Sequence, residues 1–570
     1  MHASRVVLLA SLTVLIAGCA SPGPTAPANQ ASPPAAAERV LTASIAVEPT
    51  YVAAFAPLPP GGASDFYQRM FNAFLELYDD QARPVPYLAE ALPALNTDSW
   101  QVFPDGRMET RYQLKPNLKW HDGTPLTADD FVFAFQVGTP ANGFRTAQVP
   151  YILMDDVLAP DDRSLVIRWK GLYPDANVLL LGDVKFGLPP LPRHILEQAA
   201  NQSVDALQGH AYWTTEFIGA GPFKLDRWEL GSQLEAVAFD QHVLGRPKID
   251  RIRLLFVTDP NTAFANLLSG RTDVALDTIT FQHVLQLKQE WAGNKGGTAG
   301  VTVASLTAAY IQHRPDYASP RAILDVRVHK ALAHAIDKQT FNDTIWAGEL
   351  RVLDTIFQPT VPYYPEIDRA ITKYPYDPRT SERLMTEANY TKGSDGIFVS
   401  PTEGRLTFPV IFPQNRREPP VLAANWRQVG FDIQELPLSS VEERDPQVRG
   451  SYQSLYVQAS GLTEVQQMAR YRASEVGTAD NRWRGENVTG WRNAAYDQLV
   501  DAFTVTLDAN ERVQQRAQMA KIFSDEVPAI MLTENPNTHA YLSRVKNISP
   551  AVPYLASGRI TWNIERWELS

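Results

Sequence analysis

Residues 110–136 read TRYQLKPNLKWHDGTPLTADDFVFAFQ, and they change character twice. Tyr112 and Leu114 alternate with polar neighbours, the period-two pattern of a half-buried strand. Asp122-Gly123 is a turn signal, and Thr127 with Asp130 three residues on forms a capping box ahead of Phe131, Val132 and Phe135. Strand, turn and capped helix in this order suit the edge of a mixed sheet.

The same alternation continues on both sides. Residues 39–47 alternate like a strand, and residues 64–78 predict a helix with Phe66, Met70, Phe74 and Leu77 on one face. Gly219-Ala220-Gly221-Pro222 is a tight turn feeding a strand, followed by a second strand over 252–257. A helix over 261–268 stopped by Gly270 and a strand over 273–276 come next. Asp325 caps a helix whose apolar face is Val328, Ala331, Leu332 and Ala335. Further helices are predicted over 338–346, 381–388, 419–429 and continuously from 493 to about 526. Strands are predicted over 431–433 and 529–533. Strands interleaved with helices imply an α/β fold.

Four of these stretches together resemble the peptide/nickel class of bacterial solute-binding proteins, family 5, which serve ABC importers. The first is residues 114–133, LKPNLKWHDGTPLTADDFVF, similar to the family signature L-x-x-x-x-x-[FW]-H-D-G-x-P-[FL]-[TD]-A-x-D-V-x-[FW]-[ST]. The second is Gly219-Ala220-Gly221-Pro222-Phe223. The third is residues 263–275, AFANLLSGRTDVA, and the fourth is Asp325-Val326-Arg327-Val328-His329-Lys330-Ala331-Leu332 with Ala335-Ile336-Asp337-Lys338. The usual arginine after the valine is His329 here. Weaker echoes reach Gly490-Trp491-Arg492-Asn493 and Tyr496-Asp497.

The resemblance implies a two-lobe periplasmic-binding-protein fold (type II, large cluster C form) with an extra subdomain on the first lobe. Residues 41–84, 216–311 and 527–570 would form lobe I, 85–215 its extra subdomain and 312–526 lobe II. Solute would bind between the lobes and shift an open–closed equilibrium toward the form that the ABC permease recognises. In peptide binders of the family an acidic residue of the second lobe pairs with the ligand's amino terminus. It follows the strand that here reads SLYVQASG (454–461). The next residues are Leu462-Thr463-Glu464, without the usual Asp-Pro-rich stretch, so Glu464 is the candidate substitute.

The chain begins with a different signal. Arg5 precedes a 12-residue, mostly apolar run, VVLLASLTVLIA (6–17), too short for a span of about 20 residues. Ile16-Ala17-Gly18-Cys19 resembles a lipobox. Residues 1–18 then read as a lipoprotein signal peptide, Cys19 as the acylated mature N-terminus, and 19–40 as a flexible Ala/Pro/Ser-rich tether. Cys19 is the one cysteine in 570 residues, so no intrachain disulfide can form. The expected location is extracytoplasmic, held at the membrane by lipid. A formal net charge of −11 argues against a nucleic-acid partner.

The family motifs read as architectural. One histidine beside one aspartate in His121-Asp122 lacks the spacing of a zinc site, and a surface turn with a satisfied imidazole is expected. His329 and His334 do not face each other on a helix, and Asp273 is expected to support the entrance to a strand. The chain contains no G-x-S-x-G elbow, H-E-x-x-H or Walker loop, so no catalytic residue, metal ligand or cofactor is expected. Arginines and aromatics interleave over 470–492. Arg482, Trp483, Arg484 and Trp491 are therefore candidate ligand-binding residues for a carboxylate-bearing or ring-bearing solute, and Arg314, in the loop beside the expected hinge, and Glu464 are further candidates. The expected partners are a peptide or other small solute, ABC permease subunits and the membrane, for a monomeric chain. A signalling receptor and an exported hydrolase are the competing functions.

Overall fold

The computed structural model describes residues 38–55, 64–81, 83–139, 144, 149–179, 187–461, 463–549 and 560–570. The expected signal peptide, Cys19 and most of the expected tether lie outside the described residues, as does Leu462. Residues 39–570 form one compact unit.

Its spine is a ten-stranded sheet. Along the sheet the strands run Asp432–Leu438, Thr407–Pro413, Leu455–Ser460, Gly297–Ile311, Ala529–Leu542, Val274–Ala275, Val40–Ile45, Arg251–Phe256, Gln233–Ala238 and Phe223–Glu229. Two central antiparallel strands, Gly297–Ile311 and Ala529–Leu542, are about twice as long as their neighbours and pair along nearly their whole length. At one end Ala529–Leu542 pairs with Val274–Ala275. At the other end Leu306–Ile311 pair with Leu455–Ser460. Each crossing strand therefore serves both lobes. The ladder between them slips at Val303/Ser305, opposite Asn535 and Pro536, where proline supplies no N–H. A second shift follows at Thr307/Ala308, so the ladder is irregular where the strands pass from one lobe to the other, and this region is called the hinge.

Each lobe packs helices against its own part of the sheet. The first lobe's core is continuous with a second, four-stranded sheet made of Trp100–Val102, Met108–Gln113, Ser164–Trp169 and Met154–Asp161. The second lobe has a core on either face of the sheet, one with Val328, Leu332 and Trp426 and one with Tyr456, Trp491 and Phe523.

The predicted capping box is present: Thr127 caps the helix Ala128–Gly138, and its N–H donates to Asp130. Asp259, Asp325 and Asp337 cap their helices, and Gly430 ends Glu418–Val429 in the left-handed region. Three expectations change. The helix expected over 64–78 stops at Phe71, because the Phe71 carbonyl accepts from Gly221 N–H instead of continuing the helix ladder, and Glu76–Tyr78 becomes a strand. The helix expected from 493 to 526 is two, Ala494–Phe503 and Ala509–Glu526. Between them Thr504 and Thr506 hydroxyls bond back to carbonyls, and Asp508 caps the second helix. The strand expected over 529–533 runs on to Leu542.

Candidate functional site

The family turn is a structural clamp. His121 is buried, its Nδ1 accepts from Gly219 N–H at 3.1 Å, and its Nε2 meets Gly221 O at 3.0 Å. A backbone N–H can only donate, so the neutral ring carries its proton on Nε2. Burial pushes the imidazole down to about 3, which keeps it neutral. The turn is at the surface as expected, with Asp122 and Gly123 exposed, and its satisfied imidazole points into the interior. Asp130 completes the clamp, accepting from Trp120 Nε1, Thr127 N and Arg193 N. Asp273, fully buried, accepts from Thr42 N–H at 2.8 Å and pairs with Arg544, supporting the strand entrance. Among the described residues no group of three His, Cys, Asp or Glu could hold a metal ion.

In open α/β sheets the binding crevice lies outside the carboxyl ends of the parallel strands. Here Thr407–Pro413 is parallel to both Asp432–Leu438 and Leu455–Ser460. Their carboxyl ends converge on the hinge, since Ser460 pairs with Leu306. Arg416, just past Pro413, donates from Nη1 to Asn535 Oδ1 at 3.3 Å, and Asn535 donates to Ser305 at 3.0 Å. The side-on edge of the Arg416 guanidinium, Nε and Nη2, is buried without a hydrogen-bond partner, and Glu418 Oε1 stands 3.5 Å from Nη2. On the neighbouring strand Ser460 Oγ accepts from Arg470, which also donates to the Tyr310 hydroxyl. Arg470 is almost fully buried over the Tyr310 ring.

Glu464 opens the short helix beyond Ser460, and Thr463 caps it. Its Oε1 accepts from Arg516 Nε at 2.7 Å and its Oε2 accepts from the Tyr363 hydroxyl. Burial, and then the Glu464 charge, hold the Tyr363 phenol well above its ordinary range. Arg516 lies over the rings of Tyr363 and Phe503. One helical turn earlier, Arg512 reaches Asp175 on the first lobe with two hydrogen bonds, at 2.8 and 3.2 Å.

The six residues singled out from sequence fall in three places. Arg314, Arg482, Trp483 and Arg484 gather around Gly450, at the amino end of Leu455–Ser460. Arg314 is a brace whose guanidinium donates to the carbonyls of Gly450, Gly477, Asn487 and Val488. The Trp483 ring lies against Gly450, where a Cβ would come within 2.7 Å, and 5.8 Å from Tyr317. Arg482 and Arg484 are exposed. Trp491 is a core residue, its indole N–H bonded to Glu526 at 2.6 Å. Glu464 stands alone beside the hinge, separated from the Gly450 group by a six-residue strand, about 20 Å. Arg416, Arg512 and Asp175 were not anticipated. The i, i+4 pair Arg512 and Arg516 was visible as a pattern, but no local signal joins Arg512 to Asp175.

A cavity of about 770 Å³ lies elsewhere, lined by Leu244, Arg246, Lys248, Asn547, Glu565 and Arg566 among others. Its cations are already paired, Arg246 with Asp240 and Asp250 and Lys248 with Glu568.

Comparison with known proteins agrees with this architecture. The profile of bacterial extracellular solute-binding proteins, family 5 Middle, matches residues 90–468. The oligopeptide-binding protein AppA of Bacillus subtilis is 23% identical over 515 residues, covering 89% of this chain and 88% of its own. The dipeptide-binding protein of Escherichia coli is 22% identical over 484 residues, covering 82% and 84%. The crystal structure of NikZ from Campylobacter jejuni in complex with Ni(L-His) superposes with a TM-score of 0.71 at 20% identity, over 93% of this chain and 99% of that one. With its two lobes, crossing strands and family motifs, the chain belongs to family 5 of the bacterial extracellular solute-binding proteins.

Proposed function

We propose that this protein captures a peptide-like or other small organic solute between its lobes and delivers it to the permease of an ABC importer. The crossing carries this reading. Two strands shared by both lobes, with two slipped registers close together between them, would let the lobes rotate about a short segment while each keeps its own core. Solute at the carboxyl edge of the second lobe, beside Ser460 and Glu464, would contact both lobes and so favour the closed form. The side-on edge of Arg416 suits a solute carboxylate, because a planar guanidinium binds a carboxylate with two parallel hydrogen bonds. The named ligands of its relatives, oligopeptides and dipeptides, carry that group. The binding step needs no bond-making chemistry.

Native mass spectrometry of the purified full chain tests the reading. A one-to-one adduct is expected, lost in Arg416→Ala and retained in Trp483→Ala/Arg484→Ala, which changes the group at the remote end of the strand. Absence of an adduct, together with no thermal stabilisation by a library of two- to five-residue peptides, overturns it. The same proposal places the monomeric chain on the membrane through acylated Cys19. Detergent phase partitioning should find the wild type in the detergent phase and Cys19→Ser in the aqueous phase.

A further inference from the structure

Arg512 is the point at which the second lobe grips the first away from the hinge. It stands in the first turns of Ala509–Glu526, whose inner face belongs to the second lobe's core through Met519, Ala520 and Phe523. Asp175 stands in a turn of the first lobe, between Tyr173 and Ala176, both buried in that lobe's core. The two residues are 337 positions apart, and their contact is two-pronged and largely shielded from water, with the Arg512 side chain 11% exposed and that of Asp175 28%. The Arg512 guanidinium also lies 4.2 Å from the centre of the Phe503 ring.

Two independent features surround this contact. The loop before the helix sends Leu507 onto the first lobe's apolar core, so a hydrophobic contact crosses between the lobes next to the ionic one. That loop is held by Gln515, which donates to Thr506, and by the Asp508 cap. The charges are also divided between the lobes. Arg512 and Arg516 are one helical turn apart and flank the same Phe503 ring, yet Glu464 in their own lobe pairs with Arg516. The carboxylate that pairs with Arg512 is on the other lobe. On the first lobe Asp175 sits by the Tyr173 and Tyr78 phenols, which burial and then nearby carboxylates, Asp175 among them, hold above their ordinary range. Separation of the lobes would leave Arg512 without its carboxylate on one side and Asp175 among phenols on the other.

We propose that Asp175 and Arg512, with Leu507 beside them, form a latch that holds the lobes together independently of solute. The latch ties the extra subdomain to the long helix running into the second crossing strand, so closure is fastened at two places, the hinge and this contact. The proposal rests on the two-lobe fold and not on the solute, so the solute-free chain tests it.

Hydrogen–deuterium exchange of the full chain, in wild type, Asp175→Asn, Arg512→Gln and the reversed pair Asp175→Arg/Arg512→Asp, reads the latch from both sides. Each single variant should speed exchange several-fold in the opposite lobe as well as its own. Asp175→Asn should therefore act on residues 504–512 and Arg512→Gln on residues 171–179, with the strands Val40–Ile45 and Leu455–Ser460 staying protected. The reversed pair should restore slow exchange in both segments. A rise confined to the mutated segment, or single-variant effects that the reversed pair fails to restore, overturns the latch. Asp175→Asn is nearly isosteric, so it remains informative should Arg512→Gln prove poorly folded. Loss of the solute adduct with the latch intact would overturn the solute reading alone.

Discussion

At the scale of single residues, the family's most conspicuous turn proves to be a clamp inside the first lobe. His121 ties its own turn to Gly219 and Gly221, a hundred residues away, and it does so only as a neutral ring. This has a consequence for pH. Burial lowers His121 and His313 to about 3 and His242 and His539 to about 4. An unfolded histidine titrates near 6.5, so below that pH the unfolded chain binds protons that the folded chain refuses. The stability of the neutral clamp is complete above about pH 6.5 and is lost as the pH falls toward 4 and 3. Thermal midpoints should therefore decline between pH 6.5 and 4, before most carboxylates titrate, and the decline should be shallower in His121→Gln. A wild-type midpoint that is flat over this window would contradict buried neutral histidines. The pattern of His121, Asp122 and Asp130 could be read along the sequence as a turn and a cap. That the imidazole ties this turn to the Gly219-Ala220-Gly221 turn could not, because its bonds are to backbone groups and nothing along the chain pairs the two segments.

At the scale of elements, success followed local cause. Capping residues, helix-stopping glycines and apolar faces act within one or two turns of chain, and the helices that depend on them appear with ends shifted by a few residues. The expectation over 64–78 failed where a distant segment intervenes. Gly219 and Gly221 pack directly on the backbone at Phe71, and a Cβ on Gly221 would lie 2.4 Å from the Phe71 carbonyl carbon and 2.6 Å from Asn72 N. Gly221→Ala must push two backbones apart, and it should cost more than about 2 kcal/mol, read as a lowered urea midpoint. An unchanged midpoint would show that the contact is soft. The crossing strand Gly297–Ile311 was not anticipated at all. Its sequence, GTAGVTVASLTAAYI, is rich in small residues, and its second half is buried on both faces, so it shows no clean alternation.

At the scale of the whole molecule, both lobes draw on segments far apart in sequence, and function depends on how those segments meet. Residues of the second lobe's carboxyl edge, Arg416 and Ser460, come to the hinge because three parallel strands end there. Most of the arginine and aromatic group read from the sequence gathers around Gly450, at the other end of the same strand. Composition had marked it as a recognition surface, but Arg314 spends its donors on four carbonyls and Trp491 packs in the core. The latch belongs to this scale too, because neither Asp175 nor Arg512 is unusual in its own neighbourhood. Only closure of the lobes gives each its counter-charge.

The sequence by itself determined the α/β class, the family, the clamp motif and the capped helices, because these depend on spacings short enough to be written along the chain. Residues 1–19 also carry the lipobox-like pattern on which the proposed lipid attachment rests. The tertiary structure alone decided which strands cross between the lobes, which arginine meets the hinge and which carboxylate answers Arg512. Those outcomes depend on register and on side chains hundreds of residues apart. Burial and charge pairing at such distances are properties of the folded chain and leave no local mark on its sequence.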